Sequence, residues 1–123
     1  MVKICLDSDI ILDFLEGRRA TIEKLKYYIE KEEIVTTSLV MFEVLSSVKS
    51  IAPVLRFMER LEILAFDKQS AELASKLYRD GIKEGIKLST RALVNAAVCM
   101  RNDAFLFTKN RNEYEGIKGL KVV

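Results

Sequence analysis

A small set of acidic, amide and hydroxyl side chains stands where short apolar runs of this sequence end. Asp7, Ser8 and Asp9 follow the run from Val2 to Leu6, and Thr36, Thr37 and Ser38 close a second run. Glu43 lies about a turn and a half into the helical pattern after Ser38. Thr108 and Lys109 follow the run Ala104 to Phe107, with Asn110 and Glu113 just beyond. If the runs are parallel strands, these groups gather at one edge of a sheet. Carboxylates packed that closely repel by roughly 4 kcal/mol per pair at about 4 Å and an effective dielectric near 20. A hard divalent cation removes that cost, and oxygen donors suit Mg²⁺ or Mn²⁺. Such an ion activates water and polarises a phosphate oxygen, so the chemistry these residues point to is metal-assisted phosphodiester hydrolysis.

Each group also has a structural reading. Asp7, Ser8 and Asp9 would cap the helix that follows them, and Asn110 with Glu113 has the spacing of a capping box. Asp13 is assigned a local structural role, and Asp67 is read as the cap of a later helix. These readings stand beside the catalytic one.

The chain contains no histidine, which excludes Ser-His-Asp hydrolysis, imidazole general bases and histidine-bound zinc. Its 123 residues, half of them apolar, are sized for a single domain spanning 1–123 around one core. Twenty basic against 18 acidic residues leave a net charge of +2, too even to announce a nucleic-acid or membrane partner. Cys5 and Cys99 lack metal-knuckle spacing and are read as small buried hydrophobes. The first residues turn acidic too early for a signal peptide, and no apolar run approaches the roughly 18 residues of a membrane span. A cytoplasmic protein with no membrane partner is expected.

The elements that must position the site alternate between strand and helix. Strands are expected at Val2–Leu6, Ile34–Thr36, Glu62–Phe66, Ala104–Phe107 and Leu120–Val123. Helices are expected from Asp7 to about Glu16, over 20–32 with Ile22, Leu25 and Ile29 inward, and over 39–48 capped by Ser38. Further helices should start near Pro53, span 68–84 with Ala71, Ala74, Leu77 and Tyr78 inward, and run from the Ser89 cap to about Arg101. A short helical turn is expected at 111–115, and all five glycines are read as marking element ends. Strands separated by helices need crossovers, which favour an α/β fold. The expected architecture is a three-layer α/β/α sandwich with a central parallel sheet of about five strands.

Three stretches carry a resemblance to the PIN-domain family, and within it to the VapC-type toxin ribonucleases of type II toxin–antitoxin pairs. ICLDSDIILDFLEG is similar to the family's strand, acidic motif and apolar helix. TTSLVMFEVLSSV resembles its serine-led helix bearing a glutamate, and FLFTKNRNEYEGIKGLKVV resembles its closing signature. The resemblance covers essentially the whole chain. It implies a Mg²⁺- or Mn²⁺-dependent endoribonuclease with Asp7, Glu43 and Asp9 toward metal, and Asn110 and Glu113 completing the catalytic set. It also implies an RNA substrate, a cognate antitoxin and a homodimer. Ser8, Thr108, Arg91, Lys109 and Arg111 are the expected substrate contacts, since RNA phosphates need cations. The apolar positions of 20–32 and 53–61 are candidates for a groove that takes the antitoxin or a second subunit.

One position departs from the family. Its Ser-x-x-Asp-Leu pattern appears here as Ser89-Thr90-Arg91-Ala92-Leu93, with alanine in the aspartate slot. Impaired metal binding and weak cleavage are therefore expected. The alternatives are a catalytically silent PIN domain that binds RNA or a partner protein, then a HAD-like phosphotransferase using Asp7 and Asp9.

Overall fold

A computed structural model describes residues 1–123. Five parallel strands form one sheet in the order β3-β2-β1-β4-β5. In chain order these are β1 (Lys3–Leu6), α1 (Ser8–Glu16), α2 (Arg19–Lys31), β2 (Glu33–Thr37), α3 (Ser38–Ser47), α4 (Ala52–Met58) and β3 (Glu62–Leu64). There follow α5 (Lys68–Lys83), α6 (Thr90–Arg101), β4 (Ala104–Phe107), a 3-10 turn (Arg111–Tyr114) and β5 (Lys121–Val122). The expected α/β sandwich is therefore observed, element for element.

The two-residue period of the strands divides the core. Ile4, Leu6 and Phe107 face one side, where they pack with Ile10, Ile11, Leu25, Val40, Val44, Val54 and Met58 from α1 to α4. Cys5, Val35 and Leu106 face the other, against Ala96, Val98 and Cys99 of α6, with Tyr114 and Ile117. Both cysteines are free and buried, as expected. After β1 the chain fills the sheet outward through β2 and β3, then returns to add β4 on the other side. The strand order thus reverses between β1 and β4, and in open α/β sheets a crevice forms beyond the strand ends at such a point. Asp7 and Thr108 are the first residues past those two strands.

Several local expectations need correction. Thr37, not Ser38, caps α3: its backbone is extended and its hydroxyl accepts from the Val40 N–H at 3.1 Å. The Ser38 hydroxyl instead accepts from the Phe66 N–H, and β3 stops at Leu64 rather than Phe66. Ala71 and Tyr78 on α5 are exposed, and so is Ile29 on α2, where Thr21 and Leu25 supply the buried face. Gly81 lies inside α5, where the Ile86 N–H folds back onto its carbonyl at 2.8 Å.

Candidate active site

The site is built on Asp7, which β1 delivers to the reversal point and which is 1% exposed. Its backbone is extended, so it caps α1, and its Oδ1 accepts from the Ser8 N–H at 2.8 Å. Oδ2 accepts from the Thr108 hydroxyl and from the Tyr114 hydroxyl, each at 2.9 Å. The remaining lone pair of Oδ1 takes Nη2 of Arg91 at 2.7 Å. A carboxylate this deeply buried is tolerable because every oxygen has two donors. Capping and site formation are thus carried by the same side chain.

Two further carboxylates converge on Arg91. Glu43, from α3, takes a two-pronged pair: Nε donates to Oε2 and Nη2 to Oε1, both at 2.7 Å. Glu113, from the 3-10 turn, accepts from Nη1 at 2.6 Å, and its second oxygen lies 3.3 Å from the Ser89 hydroxyl. Tyr114 hydroxyl accepts from Nη1 at 3.1 Å. The guanidinium is held even more firmly in its charged form, chiefly by Glu43 and, against the cost of burial, by Asp7. Arg91 was expected beside the site; it lies at the centre.

Asp9 sits in the first turn of α1. Its Oδ2 accepts from the Lys109 N–H at 2.9 Å, while Oδ1 is buried with no partner. Burial, and then the neighbouring Asp7 charge, push its carboxyl upward. Thr108 ties the two aspartates together, its hydroxyl lying 3.4 Å from Asp9 Oδ2 and accepting from the Asn110 N–H.

Other expected residues are placed differently. The Asn110 side chain makes no capping bond, and Glu113 turns to Arg91 and Ser89, so no capping box forms. Lys109 Nζ is drawn to Asp13 at 2.6 Å, and Arg111 reaches the Val123 carbonyl. Ser8 contributes its backbone N–H to Asp7. Asp13 has the local role expected of it, accepting from the Thr21 hydroxyl at 2.6 Å.

Sequence reasoning missed Asn95 and Tyr114. Asn95 is fully buried on α6, accepts from the Thr37 hydroxyl at 2.7 Å and donates to the Tyr114 hydroxyl at 3.1 Å. It thereby locks the α3 cap and the tyrosine that braces Asp7 to one helix. The available signal was an amide inside the otherwise apolar stretch Leu93–Cys99.

By type, the donors suit a hard divalent cation. They are oxygens only, they carry more negative charge than one guanidinium cancels, and a buried Asp9 oxygen is left over. As they stand, no three acidic side chains form a group that could hold a metal ion, and Asp7, Glu43 and Glu113 each pair with the Arg91 guanidinium. Only with Arg91 withdrawn would the oxygens of Asp7, Glu43 and Glu113 that it engages be free to take such an ion. Ala92, beside it, is fully buried in the cluster that includes Tyr114.

A second surface feature lies at the opposite edge of the sheet, where β2 and β3 begin. There Phe14, Leu25, Ile29, Pro53, Phe57 and Leu61 line a groove of about 650 Å³, rimmed by Glu32, Glu62, Arg56 and Arg60. The positions on 20–32 and 53–61 that the sequence offered for a groove do share one.

A family model described as PIN domain matches residues 4–118. No curated protein matches the chain by sequence. Among solved structures, VapBC2 from Rickettsia felis, bound to a DNA fragment from its promoter, superposes with a TM-score of 0.87 at 20% identity, covering 99% of this chain and 98% of that one. DNA-bound VapBC from Salmonella typhimurium gives 0.82 at 22% identity, covering 100% and 98%. A toxin–antitoxin complex from Klebsiella pneumoniae gives 0.80 at 20% identity, covering 98% and 95%. At these identities the likeness is one of fold.

Proposed function

The chain belongs to the PIN domain family, and on that premise we propose that it is a VapC-type toxin ribonuclease acting on RNA phosphodiester bonds with Mg²⁺ or Mn²⁺. The observation that carries this reading is the convergence of Asp7, Glu43 and Glu113, from three separate elements, at the strand-order reversal. Asp7 and Glu43 would hold the ion, with Asp9 and Glu113 beside them. When bound, the ion would supply a Lewis acid for the phosphate and a more acidic water. The chain's own residues do the rest. Thr108 and Tyr114 hold Asp7 in one orientation, and Asn95 fixes Tyr114. Asp9, whose carboxyl is pushed upward by burial and by Asp7, would be the nearby carboxyl able to take up a proton. Asn110, Lys109 and Arg111, which follow Thr108 in the chain, are kept as candidate RNA contacts with Ser8, a use in which Lys109 and Arg111 would have to leave Asp13 and the Val123 carbonyl.

Among the similar solved folds, one is described as a toxin–antitoxin complex and two as VapBC bound to DNA, which supports a cognate antitoxin as partner. The apolar groove at the far edge is our candidate for that antitoxin or for a second copy in a homodimer. No helix is long and apolar enough to cross a membrane, and we place the protein with its RNA in the cytoplasm. Ala92 is expected to leave metal affinity and turnover low, which keeps a silent, partner-binding PIN domain as the second reading. The HAD-like reading loses its support, because Thr108-Lys109-Asn110 follows β4 where that chemistry needs an acidic pair.

Substrate class tests the proposal. The chain is incubated with Mn²⁺ and a single-stranded RNA, the DNA of the same sequence, or a generic phosphomonoester. Cleavage of RNA alone, stopped by EDTA, is expected. Turnover of the monoester alone would contradict it, and binding of RNA with no cleavage would favour the silent domain.

A further inference from the structure

We propose that Arg91 is a displaceable internal counter-cation, so that its guanidinium and a divalent ion compete for Asp7, Glu43 and Glu113. This inference rests on the reading of the carboxylates as an ion site. A guanidinium has five N–H donors, and all five are engaged here: Nε and Nη2 on Glu43, Nη2 also on Asp7, and Nη1 on Glu113 and Tyr114. The three acids come from the end of β1, from α3 and from the 3-10 turn. Arg91 is the cation these three share. With it removed and nothing in its place, like charges would face one another.

The placement of Arg91 is otherwise unfavourable. It lies in the first turn of α6, a turn with no acidic residue, where the helix dipole repels a cation. Its partners must outweigh that repulsion and the burial of most of the side chain, and the raised affinity of the guanidinium for its proton is in keeping with this. Yet the arrangement leaves a way out. The Arg91 side chain is 26% exposed against 2% for Asp7, so the arginine can swing to solvent while the aspartate stays. The exchange also improves charge balance. Three carboxylates, and Asp9 with its unpartnered oxygen, exceed one positive charge and are better matched by two. Metal entry is thus linked to withdrawal of Arg91, and each lowers the apparent affinity of the other.

Mn²⁺ binding, followed by calorimetry and by the resonance of the free ion, tests this on the whole chain and on Arg91→Met and Arg91→Lys. Arg91→Met should melt lower than the parent without metal, bind Mn²⁺ at least tenfold more tightly, and regain more melting temperature when Mn²⁺ is added. Arg91→Lys keeps the charge but loses the fork, and should fall between them. If Arg91→Met does not fold, Arg91→Lys decides. Affinities equal to the parent's, or no Mn²⁺ binding by any of the three, overturn the competition. RNA cleavage is read separately. Tighter Mn²⁺ binding without cleavage in any variant would leave the competition standing and remove the nuclease reading, whereas cleavage at unchanged affinity would do the reverse.

Discussion

Arg91 and Glu43 meet in a two-pronged pair, Nε to Oε2 and Nη2 to Oε1, both at 2.7 Å. The pair joins the first turn of α6 to α3 beside Asp7, just past the end of β1. Neither element alone has a reason to hold its charge there. The residues make sense as one charge cluster shared by the elements that close the site.

Glu43→Gln keeps the shape of that pair but removes its charge. One N–H of the guanidinium would face an amide nitrogen. Loss of a charge-assisted bond at a half-buried position costs about 1–3 kcal/mol, and equilibrium urea unfolding without metal should show a drop of that size. An unchanged midpoint would mean that the pair contributes nothing to folding.

Asn95→Ala should cost about 2 kcal/mol, from lost hydrogen bonds and a small void at a fully buried site. It should also slow any RNA cleavage, because Tyr114 loses the amide that fixes its hydroxyl against Asp7. A variant as stable and as active as the parent would show that the Thr37–Asn95–Tyr114 chain does not brace the site.

Asp13 makes a pH prediction. Burial pushes its carboxyl up, but bonds from Lys109 and Thr21 outweigh this and hold it below the ordinary value of 3.8. A carboxyl held below its unfolded value stabilises the fold above that value and loses this as pH falls through the folded one. Asp13→Asn should therefore be less stable than the parent near pH 7, by about 1 kcal/mol given the exposed lysine. Below pH 3.8 the two stability curves should converge. A gap that is constant with pH would remove the ionic contribution.

The sequence carried the fold and the acidic part of the site for a common reason. Strand and helix periods, with Thr, Ser and Asp at the junctions, are local signals, and the order of elements then leaves few ways to arrange a parallel sheet. Asp7, Glu43 and Glu113 were legible because strand ends converge in such a sheet. The role of Arg91 was not, since it depends on the rotation of α6 about its own axis, which no short-range pattern encodes. Asn95 was hidden because an amide is recognisable as a strut only when both partners are known. Thr37 and Ser38 show the limit of local capping rules: both can cap, and only the extended backbone of Thr37 decides between them. The catalytic role expected of Asn110 and the substrate contacts expected of Lys109 and Arg111 rest on proximity in sequence; the Asn110 side chain makes no capping bond, Lys109 pairs with Asp13 and Arg111 reaches the Val123 carbonyl.

Ala92 gives the most direct test of the central claim that these carboxylates form a metal-dependent RNA-cleaving site short of one acid. Position 92 is fully buried in an apolar cluster next to Tyr114, so an aspartate there would be costly unless a bound cation pairs with it. Initial rates of single-stranded RNA cleavage in Mn²⁺ should be compared for the chain, Ala92→Asp and Asp7→Asn. Slow cleavage by the chain, at least tenfold faster cleavage by Ala92→Asp, and none above background by Asp7→Asn are expected. One common rate for all three would contradict that claim.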